Sequence, residues 1–125
     1  MKKIKKQSLV HFLLVGLVFI TTAAGIVEGP LLKNLAHQSN NEGEITITFT
    51  YCNTSEIEFY LYRGENQLEL LHTLHVGEVN IWATTSVSFS GFSDGQHKFR
   101  IIAKDSDGNV KVVDPYYIYV NLIEN

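Results

Sequence analysis

The chain has 125 residues, 45% apolar and 18% charged, with seven Phe, six Tyr and one Met, which suits one globular domain rich in strands rather than a disordered polymer. Its formal net charge of −3 is unevenly spread: Lys2, Lys3, Lys5 and Lys6 open the chain, whereas from Gly25 onward six basic residues stand against thirteen acidic ones, a net of −7. An acidic body repels phosphate backbones and disfavours nucleic acid as a partner, and the single Cys52 excludes an intrachain disulfide.

Residues 1–24 have the three parts of a secretory signal: the lysine cluster, an apolar run from Leu9 to Ile20, and the small residues Thr21-Thr22-Ala23-Ala24 ahead of a cleavage point before Gly25. The alternative is an uncleaved membrane anchor over about 7–27, since no charged residue interrupts Gln7 to Val27 and ~20 apolar residues span a bilayer. Either reading exports the body, which is expected to be secreted or to face outward from a membrane. Residues 25–43 read as a weak first strand and a linker. Ile26-Val27 and Leu31-Leu32 are the strand-like pairs, Pro30 confines the strand to a sheet edge, and 34–43 (NLAHQSNNEG) is rich in turn formers.

From Glu44 the alternation becomes regular. Ile45, Ile47, Phe49 and Tyr51 share one face and Thr46, Thr48 and Thr50 the other, the period of a half-buried strand. After the turn residues Asn53-Thr54-Ser55, Ile57, Phe59 and Leu61 alternate with Glu58, Tyr60 and Tyr62. Leu68 to Val76 is a third, less regular run; Gly77-Glu78 leads to Val79, Ile81 and Trp82; Thr84 to Phe92 supplies another strand. Asp94-Gly95 and Asp107-Gly108-Asn109 bracket a hairpin arm carrying His97, Phe99, Ile101 and Ala103 on one face, the strongest antiparallel signal in the chain. Its return through Val110 and Val112 is punctuated by Pro115, and Tyr116 to Leu122 forms a last strand. About seven short strands at this spacing predict an all-β sandwich or small barrel.

Ser55 to Leu61 (SEIEFYL), Phe89 to Asp105 (FSGFSDGQHKFRIIAKD) and Gly108-Asn109 together resemble the bacterial immunoglobulin-like domains. The likeness extends to fibronectin type III modules and covers about residues 44–122. It implies an immunoglobulin-like antiparallel β-sandwich over 44–125, carried by exported or cell-surface proteins, and a binding, spacing or adhesive part rather than an enzyme. Fold and activity are separable, so this implication is about class.

Candidate sites follow from chemistry. Tyr60 and Tyr62 share one face and Tyr117 and Tyr119 another; solvent-facing rows of tyrosine grip sugars or extended peptides, so an unknown protein or glycan at the cell surface is the expected partner. Trp82 reads as core. Asp105, Asp107 and Asn109 resemble the opening of a calcium loop, yet the positions that should hold glycine and the closing carboxylate are Val110 and Tyr116, so a capped turn accounts for them as well. His72 and His75 lie on opposite faces of a strand and cannot share an ion. Asn53-Thr54-Ser55 spells a glycosylation sequon, and Cys52 is a candidate intermolecular disulfide or a small buried filler. No convergent catalytic set and no cofactor motif can be picked out. Three functions fit: an exported immunoglobulin-like module for recognition, adhesion or spacing; a membrane-anchored assembly subunit; and an ancillary carbohydrate-binding domain.

Overall fold

A computed structural model describes residues 3–5, 29–77 and 80–122. The predicted signal or anchor, beyond Lys3–Lys5, lies outside the described residues, as do Ile26, Val27 and Val79. In chain order the strands are β1 (Lys3–Lys5), β2 (Leu31–Ser39), β3 (Ile45–Cys52), β4 (Glu56–Tyr62), β5 (Leu68–His75), β6 (Ala83–Phe89), β7 (Gly95–Lys104) and β8 (Val110–Val120). They form two sheets, β1-β6-β3-β2 and β5-β4-β7-β8, with every neighbouring pair antiparallel.

The alternation explains how the sheets meet. Ile45, Ile47 and Phe49 from β3 and Val87 and Phe89 from β6 face Ile57, Phe59 and Leu61 from β4 and Phe99, Ile101 and Ala103 from β7, all of them buried. Phe59 stands at the centre, its ring centroid 5.8 Å from that of Phe49 and 5.8 Å from that of Phe89, both across the gap between sheets. The architecture is therefore all-β and sandwich-like, with one continuous core between two antiparallel sheets.

Two regions depart from the sequence-based expectation. The stretch read as linker, 34–43, contributes six residues to β2, which pairs with β3 from Leu31 opposite Cys52 to Ser39 opposite Ile45. An outermost strand needs apolar side chains on one face only, and here Leu32 and Leu35 supply them; the register shift between Lys33 and Ala36, with Asn34 at φ 56°, hides the period from the sequence. At the other end, the two runs flanking Pro115 are one strand, β8. The proline occupies an outermost strand at the register shift opposite Phe99 to Ile101, where no ladder donor is needed, and its peptide bond with Asp114 is cis.

The turns are built as their residues require. Asn40 Oδ1 accepts from the backbone N–H of Glu42 at 2.9 Å and of Glu44 at 3.0 Å, leading β2 into β3. Gly43 (φ +82°) accepts from Phe92 N–H at 3.0 Å, tying this turn to the loop after β6. Asp94 Oδ1 accepts from Leu122 N–H at 2.6 Å, so the turn before β7 also holds the end of β8.

Candidate functional site

The outward residues of β5-β4-β7-β8 converge on one surface. Register aligns Leu68 with Tyr62 and Lys98 with Tyr117; Leu70 aligns with Tyr60, and Tyr60 with Arg100. Side chains opposite one another in antiparallel strands point the same way. Tyr117 and Tyr119, paired with Lys98 and Gln96, therefore emerge on the same face as Tyr60 and Tyr62. This corrects the expectation of two separate tyrosine faces: alternation within a strand assigns only its own two sides, and the pairing of β4, β7 and β8 puts all four rings together.

The rings differ in freedom. Tyr62 donates its hydroxyl to Asp114 Oδ2 at 2.7 Å, and Lys98 Nζ sits 4.4 Å from its ring centroid. Asp114 also takes Arg100, Nε to Oδ2 at 3.5 Å. Tyr60 donates to Glu58 Oε1 at 3.0 Å, and Lys104 Nζ donates to the other oxygen of that carboxylate at 2.9 Å. Burial, then the Glu58 carboxylate, raises the Tyr60 phenol above its ordinary value; the Asp114 hydrogen bond does the same first of all for Tyr62. The Lys104 ammonium is raised chiefly by its hydrogen bond to Glu58. Tyr60 and Tyr62 are thus pinned protonated, a rigid floor. Tyr117 and Tyr119, exposed by 48% and 59%, stand beside that floor.

The same face carries Leu68, Leu70, Val110 and Val112, so six of the eight large exposed apolar residues share it, Ile81 and Trp82 being the other two. Its basic groups Lys98, Arg100 and Lys104 are interleaved with Glu56, Glu58 and Asp114. Sequence reading missed Lys98, Arg100 and the flanking aliphatics. The usable signal was the hairpin register about Asp107-Gly108, which pairs Lys104 with Val110 and Ile102 with Val112.

The remaining candidates are placed elsewhere. Asp105 Oδ1 accepts from Asp107 N–H and Asn109 N–H, both at 2.9 Å, and Oδ2 accepts from the Asn109 carboxamide at 3.0 Å. These bonds, with the Asn109 side chain foremost, hold the carboxyl below its ordinary value and close the turn. The Asn109 amide nitrogen faces Asp105, so this trio is a capped turn rather than a shared cation cradle. His75 lies 3.5 Å from Glu56, Nδ1 to Oε1, while His72 pairs with Phe59. Among the described residues no three His, Cys, Asp or Glu side chains are grouped to hold a metal. Cys52 is 6% exposed, which sets its thiol inside the fold rather than at a surface where a second chain could reach it. Asn53 takes a left-handed turn (φ 55°); of its sequon partners, Thr54 is fully buried and Ser55 Oγ donates to Lys104 O at 3.2 Å. Trp82, expected in the core, is 38% exposed with Lys33 Nζ 3.9 Å from its ring centroid, because it precedes β6 in a loop instead of lying within a strand.

A cavity of about 290 Å³ opens at one end of the core between Leu61, Leu71, Phe89 and Phe92. His97 reaches it, but its Nε2 is 2.8 Å from the backbone carbonyl of Ser93 and its ring meets Phe92 edge-on at 5.0 Å, which positions the imidazole as a loop clasp. No family model, curated protein or solved structure matches this chain.

Proposed function

We propose that the protein is an exported, non-enzymatic immunoglobulin-like module that recognises a surface partner through the outer face of β5-β4-β7-β8. The observation that carries this reading is the gathering of Tyr60, Tyr62, Tyr117 and Tyr119 with six of the eight large exposed apolar residues on one sheet face. Two pinned tyrosines make the surface rigid, and two exposed ones supply amphipathic contact area at small entropic cost. Interleaved opposite charges make it suited to neutral polar ligands, glycans or extended peptides, rather than to polyanions.

The strand arrangement supports the immunoglobulin-like assignment. Taken in sequence, β2, β3 and β6 are neighbours in one sheet, with β1 beside β6, and β4, β7 and β8 pair in the other, as strands A, B, E and C, F, G do in immunoglobulin domains; β5 joins the C strand, as in variable-type and related modules. The lysine-led apolar start of the chain supports export.

The test is a double variant, Tyr117→Ala with Tyr119→Ala, assayed on glycan arrays and on intact cell surfaces. Both rings are exposed, so circular dichroism and thermal unfolding should stay near the parent while binding drops at least about tenfold, the loss expected of truncated aromatic anchors. Binding that survives unchanged in the folded variant places recognition elsewhere on the molecule.

A further inference from the structure

The core-facing side of β4 continues past the point where the apolar core stops. Leu61 is buried in the core; Arg63, two residues on, follows on the same side, and its N–H donates to Gln67 O at 2.8 Å, which prolongs the pairing with β5. Glu69, opposite Leu61, shares that side. Arg63 Nε and Glu69 Oε1 meet there as an ion pair, both side chains half-exposed. Beside them β5 holds one extra residue: His72 stands opposite Phe59 and Leu70 opposite Tyr60, which leaves Leu71 as a bulge packed against the core. The cavity of about 290 Å³ is lined by this ion pair and by Leu61, Leu71, Phe89 and Phe92, an apolar floor with one positive and one negative group at its rim. The loop after β6 forms the remaining wall and is held from both sides. Phe92 N–H donates to Gly43 O at 3.0 Å, and His97 Nε2 donates to Ser93 O at 2.8 Å. The pocket is therefore preformed.

We propose that this cavity binds a free α-amino acid with an apolar side chain. Arg63 meets Glu69 through Nε, and a guanidinium so engaged keeps its terminal N–H donors while the carboxylate keeps its second oxygen. The pair can thus take a carboxylate on Arg63 and an ammonium on Glu69, both as charge-assisted hydrogen bonds. Its two charges stand side by side, as do the carboxylate and ammonium of an α-amino acid; the two ends of a peptide lie further apart. The ligand's side chain rests on Leu61, Leu71, Phe89 and Phe92, which removes apolar surface from water on both partners. Size agrees with this class. Ligand pockets run about 300–1,000 Å³, and a cavity at the bottom of that range admits a molecule the size of leucine or phenylalanine and excludes an oligosaccharide. A ligand carrying one charge alone would leave one member of the pair without a counterpart. Because the rim is half-exposed, water screens its charges and the affinity belongs to the weak, rapidly exchanging class. This inference does not rest on the tyrosine face, which lies on the outer side of the sheet.

The experiment is titration of the protein, purified from an exporting host, with L-phenylalanine, followed by amide chemical shifts. Saturable shifts are expected around Leu61, Leu71 and the loop from Ser90 to His97. Three analogues each lack one feature: 3-phenylpropionate the ammonium, phenethylamine the carboxylate, and glycine the side chain. Each should bind at least about tenfold more weakly, the loss that follows from one charge-assisted hydrogen bond or one buried apolar group. Arg63→Gln should weaken L-phenylalanine and 3-phenylpropionate while leaving phenethylamine unchanged; Glu69→Gln should weaken L-phenylalanine and phenethylamine while leaving 3-phenylpropionate unchanged. Both side chains are half-exposed, so both variants should fold, and the analogue series on the parent protein decides the matter if circular dichroism shows otherwise. Four results would overturn the proposal: no saturable binding of L-phenylalanine, shifts confined to other parts of the molecule, an analogue that binds as tightly as L-phenylalanine, or affinity unmoved in both folded variants.

Discussion

Replacing Phe59 by alanine tests whether the two sheets are held where the structure places them. Its side chain is wholly buried and its ring meets Phe49 and Phe89 across the core, each at 5.8 Å between centroids. Truncating a buried phenylalanine removes its transfer free energy and leaves a cavity, together about 3–5 kcal/mol. With a urea slope of ~1.5 kcal/mol per molar for a domain of this size, the midpoint should fall by about 2–3 M. Against a total stability of about 5–15 kcal/mol, that is a large share. The control is Trp82→Ala, a larger truncation at a 38% exposed site where the Lys33 ammonium lies 3.9 Å from the ring centroid. An exposed cation–π pair is worth ~0.5–1 kcal/mol, and a side chain that already reaches solvent leaves no enclosed cavity when truncated, so the midpoint should fall by less than for Phe59→Ala. Urea unfolding followed by far-ultraviolet circular dichroism measures both. Equal losses, or a larger one for Trp82→Ala, would refute the reasoning, because the indole would then be the core aromatic and Phe59 peripheral.

Gly43→Ala should destabilise well beyond a surface change, since an added Cβ would lie 2.5 Å from Phe92 O at a positive φ; about 1–3 kcal/mol is expected for the backbone conformation alone, read as a lowered urea midpoint. Asp105→Ala should lower the thermal midpoint at pH 7. The Asp105 carboxyl is held below its ordinary 3.8 in the folded state, so its contribution is present above that value and lost as pH falls through the folded one; parent and variant should converge in acid. Alkali should have the opposite origin. Tyr60, Tyr62 and Lys104 are all raised, so their contributions are complete below the ordinary 10.0 and 10.5 and disappear as pH climbs through the folded values. Unfolding midpoints should therefore drop above about pH 10, and less steeply in Glu58→Gln, which removes the partner of both Tyr60 and Lys104.

What the sequence determined by itself is local and periodic. Alternation from Ile45 to Tyr51 and from Ile57 to Leu61 named the inward side chains of β3 and β4, and Asp107-Gly108-Asn109 marked the β7–β8 turn, because each pattern is written within one strand or one turn. β2 escaped because an outermost strand needs few apolar residues, and its bulge at Asn34 breaks the period that would reveal it. Trp82 was misassigned because hydrophobicity says what burial would gain and not whether a loop can bring the ring to the core. Tertiary structure alone decided that Tyr60 and Tyr62 share a face with Tyr117 and Tyr119. That sharing depends on which strands become neighbours, which is settled by how two sheets close over Phe49, Phe59 and Phe89, a packing problem spread across the whole chain.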